Sequence, residues 1–335
     1  MPRVTAPVPP QPHFPSYYLR PTVAPSVARR VRTADGARIA TFVYGADGAR
    51  QKSTYPVLFL HGNGEEHGIF GVQINGLVGD GRCAIGVDSR AQGASTRGRA
   101  PLTYELMAAD ALDVLDALDV QRAHVVGFSD GAIEALLLAR DHPERVASVL
   151  SMGANLTPEG ILAEDDWDME GTAEQCEAWA AWLEGKPEGV DPSIVMPSAS
   201  EARATAELMR LMLDEPHIPA ESLGAIRCPV TVMTGELDCI APAETQRIVD
   251  AIPGARKVVV PGADHVLPKC APDAASASCF SAWWSRGTAR PSAPPGATGG
   301  RGYDKRNPSG SGPKGLVERK EAARRTTRRP LRWRP

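Results

Sequence analysis

Short runs of apolar residues recur along the chain, and each ends in a polar or glycine-rich turn. They lie at residues 57–60, 83–88, 123–129, 228–234 and 257–260. Uniformly apolar runs of this length are typical of strands in a parallel sheet that is buried on both faces. Ahead of them, two more short strands are predicted to turn at Asp35 and Gly36, a dipeptide that favours a hairpin. The pattern therefore predicts one largely parallel sheet that begins with a hairpin.

Helical periodicity is found in several segments between these runs, over residues 103–120, 130–140 and 243–251. In the first of them, Thr103 is placed to cap the start of the helix, and Asp110 falls on the polar face, opposite the apolar residues. Strands that alternate with helices are typical of a doubly wound α/β sheet. This is the predicted fold class.

Three segments depart from the alternation. Residues 1–28 are rich in proline and are predicted to form no regular element. Residues 156–222 contain helical segments without a clear strand, so we expect a helical cap inserted between the two parts of the core, 29–155 and 223–285. Residues 286–335 are rich in Gly, Pro, Ser and Arg and lack periodicity, which predicts a disordered tail.

Charge divides the chain in the same way. Residues 286–335 hold fourteen Lys or Arg against three Asp or Glu, whereas the whole chain carries a net charge of −3, which leaves about −14 for the remainder. An acidic body argues against a nucleic-acid groove in the core, because phosphate contacts need clustered cations. The basic tail leaves open a separate role as an anchor for nucleic acid or an anionic membrane.

Other compositional signals favour a cytoplasmic protein. No apolar stretch is long enough for a transmembrane helix, and the proline-rich start lacks the apolar region of a signal peptide. The six cysteines show no C-x-x-C pair and no zinc-type spacing, so we expect reduced thiols and no metal site.

The pentapeptide GFSDG at residues 127–131 matches the pattern G-x-S-x-G. It lies where an apolar strand ends and a helix begins, so Ser129 would occupy a tight turn in which Gly127 and Gly131 avoid clashes. Such a turn raises the hydroxyl above the sheet and places the helix N-terminus beneath a developing oxyanion. An N-capping serine in an ordinary loop is the alternative, but the position predicts Ser129 as a nucleophile.

A second glycine-rich loop, HGNG at residues 61–64, follows the strand at 57–60. Its glycines would let the main-chain N–H of Asn63 face a bound carbonyl oxygen, and the N–H of Asp130 would complete an oxyanion hole. A nucleotide loop is the competing interpretation. However, His67 stands at the third glycine position, and the two glutamates before it would repel a pyrophosphate. We predict an oxyanion hole and no cofactor.

A serine nucleophile needs a base, and the base needs a carboxylate to orient it. His265 stands in the turn PGADH after one apolar run, and Asp238 stands in TGELD after another. Both would lie with Ser129 at the carboxyl edge of the sheet, where open α/β sheets bind ligands. Glu236 competes for the acid role, but Asp238 lies later in the turn. The sequence predicts His265 as base and Asp238 as acid.

Together these segments resemble the α/β-hydrolase superfamily, particularly its small bacterial members related to 3-oxoadipate enol-lactonases and similar carboxylic-ester hydrolases. The resemblance spans residues 29–284 and rests on HGNG, DSRAQGAS, PLTYELMAADALDVLDALDVQRAHVVGFSDG, CPVTVMTGELDCIAP and VVVPGADH. It implies the α/β-hydrolase fold. The family's nucleophile, acid, base and two oxyanion donors fall on Ser129, Asp238, His265, Asn63 and Asp130.

The chain departs from the family in the loop at residues 88–95. The family commonly has D-x-R-G-x-G-x-S with His before the second Gly, whereas Ala91 and Gln92 stand at those Gly and His positions here. This weakens a specific lactonase assignment and leaves the triad intact. A Ser in place of Asp at position 129 argues against the haloalkane dehalogenase and epoxide hydrolase branches.

The sequence thus predicts a cytoplasmic serine hydrolase that cleaves a small-molecule carboxylic ester, thioester or lactone through an acyl-enzyme, without metal or organic cofactor. We expect its partner to be that substrate, with no nucleic acid on the core and no membrane. Activity should fall on acidification with an apparent pKa of about 6 to 7, since the base must be neutral. C–C bond hydrolysis or acyl transfer on the same residues, or ligand binding without catalysis, remain alternatives.

Overall fold

A computed structural model describes residues 9–12, 20–45, 55–162 and 168–276. The predicted tail, 286–335, lies outside these described residues, and so does most of the Pro-rich start. The described part of that start ends in a strand, Val27–Arg32, which includes the last two residues of the segment predicted to form no regular element. Within the described ranges no helix is both long and apolar enough to cross a membrane.

One sheet organises the described part of the chain. Its eight strands are β1 (Val27–Arg32), β2 (Arg38–Tyr44), β3 (Val57–Leu60), β4 (Ala84–Val87), β5 (Ala123–Phe128), β6 (Val146–Met152), β7 (Val230–Gly235) and β8 (Arg256–Val260). They are ordered β1-β2-β4-β3-β5-β6-β7-β8. β1 and β2 pair antiparallel, as does β2 with β4, and every other pairing is parallel. The predicted largely parallel sheet and its hairpin are confirmed.

Helices cover both faces of this sheet. They are α1 (Gly71–Gly79), α2 (Tyr104–Ala117), α3 (Asp130–Asp141), α4 (Met169–Glu184), α5 (Ala199–Asp214), α6 (Pro242–Ala251) and α7 (Leu267–Cys270). In β3, Leu58 and Leu60 pack in the core beneath α2 and α3, whereas Val57 and Phe59 pack in the second core with α1. All four side chains are fully buried, which explains why the sequence of this strand shows no alternation.

The sequence did not predict β6 or α1. β6 has the sequence VASVLSM, in which small polar residues interrupt the apolar run. Its Ser148 and Ser151 are nevertheless buried because the strand lies in the middle of the sheet, between β5 and β7. β6 leads directly into Gly153, which belongs to the site described below and was therefore not predicted either.

Helix α2 corrects a second expectation. Thr103 caps it as predicted, with its side chain accepting a hydrogen bond from the N–H of Leu106. Asp110, however, is buried and not on an exposed polar face. Its carboxylate accepts two hydrogen bonds from the fully buried Arg90 guanidinium, at 2.7 and 2.8 Å, and Arg90 also donates to Asp35. The periodicity gave the helix correctly, but a charged residue on its polar side proved to be a partner for a distant arginine.

Residues 156–222, which we call the helical insertion, contain α4 and α5 and no strand among the described positions. The two helices share an apolar cluster that includes Trp179 and Met209. α5 also sends Leu208 and Leu211 into the main core beneath the sheet. α5 therefore joins the insertion to the body of the protein.

Candidate active site

Ser129 lies in the turn between β5 and α3, in a backbone conformation that side-chain-bearing residues rarely adopt. Its φ is 52° and its ψ is −119°. A Cβ at Gly127 would lie 2.1 Å from the carbonyl oxygen of Gly131, and a Cβ at Gly131 would lie 2.1 Å from that of Leu60. Both glycines are therefore required, as the motif predicts. The strain at Ser129 costs on the order of 1–3 kcal/mol and is typical of functional positions.

Ser129, His265 and Asp238 form one chain of hydrogen bonds. Ser129 Oγ lies 3.0 Å from His265 Nε2, and His265 Nδ1 lies 2.6 Å from Asp238 Oδ1. The three residues follow β5, β8 and β7 at the carboxyl edge of the sheet. Distances of this size suit proton transfer from a hydroxyl to an imidazole whose far nitrogen is held by a carboxylate.

The Asp238 carboxylate is buried and held by its own loop. Its Oδ2 accepts from the Thr234 hydroxyl at 2.9 Å, and its Oδ1 accepts from the main-chain N–H of Ile240 at 3.0 Å. Burial alone would raise its pKa, but the hydrogen bond from His265 and those from the main chain hold the pKa of Asp238 below its ordinary value. Asp238 is thus ionised at neutral pH and fixed in direction.

Glu236, the competing acid, lies elsewhere. It is exposed, and its Oε2 accepts a hydrogen bond from the main-chain N–H of Gly262 at 2.8 Å. Of the two carboxylates in this loop, Asp238 is the one that contacts His265. Geometry therefore favours Asp238 over Glu236 for orienting the imidazole.

His265 is strongly basic in this setting. Burial disfavours its charged form, but the hydrogen bond to Asp238 and the neighbouring Cys239 side chain outweigh burial and raise the pKa of His265 to about 10. Cys239 is buried and follows Asp238 directly. Donor atoms of Asp238, Cys239 and His265 lie within 4.8 Å of one another, which makes them the group among the described residues that could hold a metal ion. Two of the three already share the short hydrogen bond.

Gly153, at the end of β6, makes room for the imidazole. A Cβ there would lie 2.7 Å from His265 Cε1 and 2.9 Å from its Nδ1. Its φ is 68°, in the region that favours glycine. This residue was not predicted, because the serines of β6 interrupt the apolar run that would have indicated a strand before it. A glycine directly after a central strand was the available signal.

The HGNG loop packs closely against the serine turn. A Cβ at Gly62 would lie 2.9 Å from the Phe128 ring and 3.0 Å from Ser129 Cβ. His61 is fully buried and braces the loop: its Nε2 accepts from the Ser89 N–H at 2.8 Å, and its Nδ1 lies 2.7 Å from Gly62 O. Burial lowers the pKa of His61, so it is neutral with the proton on Nδ1.

Asn63 and Asp130 are brought together by their side chains. Asn63 Nδ2 donates to Asp130 Oδ2 at 3.0 Å. The main-chain N–H groups of Asn63 and Asp130 have no hydrogen-bond acceptor within the described ranges of the chain. Burial raises the pKa of the Asp130 carboxyl to about 6, against the hydrogen bonds from Asn63 and Tyr104. The two predicted donors therefore lie on adjacent loops beside Ser129, with N–H groups that no described residue engages.

The two departures from the family pattern lie in the loop after β4, and one of them contacts the HGNG loop. Ala91 has a φ of 66°, a conformation in which glycine costs less. Gln92 is buried, and its Oε1 accepts a hydrogen bond from the main-chain N–H of Gly64 at 2.6 Å. Gln92 therefore supports the loop that carries Asn63.

A second histidine–aspartate pair lies outside this arrangement. His67 Nδ1 is 2.6 Å from Asp88 Oδ1, and its Nε2 is 2.9 Å from the Tyr44 hydroxyl. Burial raises the pKa of Tyr44 to about 12, so this hydroxyl stays protonated. The pair resembles the Asp238–His265 pair in distance, but its imidazole packs against Gly86 of β4, and among the described residues its Nε2 faces the Tyr44 hydroxyl and not a serine. Its contacts make it part of the core.

Comparison with known proteins agrees with this architecture. A family model described as the alpha/beta hydrolase fold matches residues 55–182. The chain is 30% identical to rhodomycin D methylesterase DauP of Streptomyces sp. (strain C5), over 57% of this chain and 78% of that protein. It is 28% identical to RutD of Caulobacter sp. (strain K31), which is named for carbamate hydrolysis, over 57% of this chain and 76% of that protein.

Among solved structures, Est816 is similar over 75% of this chain and 98% of its own, with a TM-score of 0.56 and 26% identity. It is described as an enzyme that degrades N-acyl homoserine lactones. The three proteins are thus named for the breakdown of an ester, a carbamate and a lactone.

Proposed function

Because the chain belongs to the α/β-hydrolase superfamily, we propose that it is a serine hydrolase acting on a small-molecule carboxylic ester, thioester or lactone. The observation that carries this proposal is the chain of hydrogen bonds from Ser129 Oγ through His265 to Asp238, at 3.0 and 2.6 Å. It ends at a serine on a strained turn at the carboxyl edge of the sheet. Such a serine is a poor nucleophile until a base removes its proton.

The first half of the reaction forms an acyl-enzyme. Ser129 Oγ attacks the substrate carbonyl carbon while His265 Nε2 takes the hydroxyl proton, and the carbonyl π electrons move to its oxygen. The main-chain N–H groups of Asn63 and Asp130 would hold that oxyanion. A single donor of this kind contributes about 100- to 1000-fold in rate. When the tetrahedral species collapses, the imidazolium gives its proton to the leaving alkoxide or thiolate, and the acyl group remains on Ser129.

The second half releases the acid. His265 Nε2 takes a proton from water, whose oxygen attacks the acyl carbon, and the oxyanion site is used again. Collapse expels Ser129 Oγ, which recovers its proton from the imidazolium. Asp238 stays ionised throughout, because its lowered pKa favours the carboxylate that stabilises the charged imidazole. These two half-reactions need no cofactor from outside the chain.

Covalent labelling and turnover measured together test the proposal. The purified chain should be labelled by a fluorophosphonate at Ser129 and should hydrolyse short p-nitrophenyl esters. Labelling without turnover would indicate a ligand-binding protein on this fold. Absence of both would contradict a serine nucleophile.

A substrate panel narrows the class. Esters, thioesters and lactones of graded acyl size should give product acids, with rates that depend on how the helical insertion bounds the acyl group. Turnover of a 1,3-diketone without ester hydrolysis would move the assignment to C–C bond cleavage. Transfer to an added alcohol in preference to water would move it to acyl transfer.

A further inference from the structure

The side chain of Asn63 connects three parts of the molecule. Its Nδ2 donates to Asp130 Oδ2 at 3.0 Å, in the serine turn, and to the main-chain oxygen of Leu208 at 3.2 Å, in helix α5. Asn63 itself stands in the HGNG loop after β3. One amide group, using both of its N–H bonds, thus touches the oxyanion loop, the nucleophile turn and the helical insertion.

The acceptor at the centre of this contact is held from its other side. Asp130 Oδ1 accepts from the Tyr104 hydroxyl at 3.0 Å, so each carboxylate oxygen has a donor. Both Asp130 and Tyr104 are at most 2% exposed. A buried carboxylate with both oxygens bound is fixed in direction, because each lost hydrogen bond would leave a desolvated charge. Asp130 therefore offers Asn63 a fixed point.

Helix α5 is tied to the body next to its contact with Asn63. The Arg97 guanidinium forms a two-point ion pair with Glu207, the residue before Leu208. Leu208 itself is buried in the main core. The position of the Leu208 carbonyl oxygen, which Asn63 contacts, therefore depends on how α5 packs on the core. We call this packing the seating of α5.

We propose that the side chains of Asn63 and Asp130 are positioning residues that fix the spacing of the two oxyanion-binding N–H groups, and that the seating of α5 on Asn63 controls this spacing. This inference rests on the proposed function. Asn63 and Asp130 each carry one of the two main-chain donors, so a side-chain bond between them holds the donors at one separation. Donors act on a transition state only if they are already placed where the charge develops.

Removing the amide tests the first part. Asn63→Ala keeps the main-chain N–H and loses both side-chain bonds. We expect kcat to fall by about 10- to 100-fold, with KM changed by less than about threefold, because the loss concerns the transition state. A merely structural role would lower the unfolding temperature and leave kcat unchanged, and that outcome would overturn the proposal.

Two ion pairs provide a matched test of the link to α5. Arg97→Gln removes the bridge from the core loop to α5, whereas Arg210→Gln removes the bridge from α5 to Glu177 within the insertion. We expect Arg97→Gln to lower kcat several-fold and Arg210→Gln to change it by less than about twofold. Equal effects of the two variants would contradict control through the seating of α5.

A double-mutant cycle tests whether Arg97 acts through Asn63. If it does, Arg97→Gln should have little further effect on kcat in the Asn63→Ala chain, so the two losses should not multiply. Fully multiplicative losses would show that the two side chains act independently and would overturn the proposed link.

The reference is the unsubstituted chain, labelled by a fluorophosphonate and turning over a p-nitrophenyl ester. If the reference neither labels nor turns over, the proposed function fails. If it does both and Asn63→Ala equals it in kcat, only this inference fails.

Discussion

At the scale of single residues, burial and hydrogen bonding have opposite effects on the pKa values of Asp238 and His265. Burial disfavours both ionised Asp238 and protonated His265, yet the short bond between them lowers the pKa of one and raises that of the other. In the proposed reaction, this carboxylate would stabilise the imidazolium as it forms. Thr234 and the N–H of Ile240 fix that carboxylate. The arrangement suits a base that must take up a proton and return it.

Exchange of the two loop carboxyls for amides should therefore have unequal effects. Asp238→Asn should lower kcat/KM on the order of 1000-fold, because an amide cannot both accept from His265 Nδ1 and stabilise its positive charge. Glu236→Gln should stay within about threefold, since Glu236 is exposed and contacts Gly262. Steady-state kinetics of both variants check this. The reverse ranking would transfer the role to Glu236.

The pH profile follows from the raised pKa of His265. The base works when neutral, so kcat/KM should rise with pH by about tenfold per unit below its apparent pKa. The sequence alone suggested about 6 to 7 for that value, whereas the contacts with Asp238 and Cys239 shift the expectation upward. We expect the midpoint of the acidic limb of the profile to lie above pH 6.5, the ordinary pKa of histidine. A profile that is already flat from pH 6 upward, with chemistry rate-limiting, would contradict this assignment.

Cys239 provides a control on that profile. Cys239→Ala should move the apparent pKa downward, because it removes one of the groups that raise the pKa of His265. Cys270→Ala should leave it in place, since Cys270 is exposed and its Sγ contacts the Asp264 carbonyl. Equal shifts would show that Cys239 has no specific effect on the base.

At the scale of elements, the carboxyl ends of four parallel strands bring the Ser129, His265 and Asp238 side chains together, beside the HGNG loop that follows a fifth strand, β3. Ser129, Asp238 and His265 follow β5, β7 and β8, and Gly153 follows β6 between them. Each strand contributes one short turn, so the relative positions of the side chains are set by the spacing of strands in the sheet. Gly153 has no side chain, and this leaves space for the His265 imidazole.

Gly153→Ala should damage catalysis beyond its effect on stability. Its Cβ would lie 2.7 Å from His265 Cε1, and a displacement of about 1 Å in a catalytic group can cost roughly 100-fold. Gly254→Ala is the matched control, because Gly254 has a φ of 71° and nothing within 4 Å of its added Cβ. Both variants should lose about 1 kcal/mol of stability through backbone strain. Only Gly153→Ala should lower kcat by about tenfold or more, and equal kcat values would contradict the steric account.

The sequence predicted those elements whose pattern is local. The five apolar strands and the capped helix α2 follow from apolar runs, periodicity and a threonine, and all of them are confirmed. β8, however, is not buried on both faces as its apolar run predicted, because it lies at the edge of the sheet and its Val259 is 48% exposed. β6 was missed because its serines are buried by neighbouring strands, which no window of sequence reveals. Asp110 was misplaced for the same reason, since its partner Arg90 is twenty positions away and buried. The bonds of Asn63 to Asp130 and Leu208 are also long-range and lay beyond sequence reasoning.

At the scale of the whole molecule, the chain combines an acidic body with a strongly basic end. The last fifty residues contain fourteen Lys or Arg, yet no apolar periodicity that could form a core. Among the described residues, the site contacts involve positions 61–265. We therefore propose that catalysis and the fold belong to the body, and that residues 286–335 contribute to neither.

Truncation tests this division. Deleting residues 287–335 should leave the unfolding temperature and the rate of ester hydrolysis nearly unchanged, because ordering costs about 1–2 kcal/mol per residue and the tail has little apolar surface to offset it. Thermal unfolding and steady-state kinetics of the shortened chain measure both. A large loss of either would show that the tail packs on the body, through residues such as Leu331 and Trp333.

The central claim, that Ser129 is the nucleophile, is tested most directly by comparing two serine variants in one assay. Ser151 is a buried serine on β6, opposite Gly127 of the strand that leads to Ser129. In p-nitrophenyl ester hydrolysis, Ser129→Ala should lose at least about 1000-fold in kcat/KM at an unchanged unfolding temperature, whereas Ser151→Ala should stay within about threefold. Turnover retained in a folded Ser129→Ala chain would contradict the account.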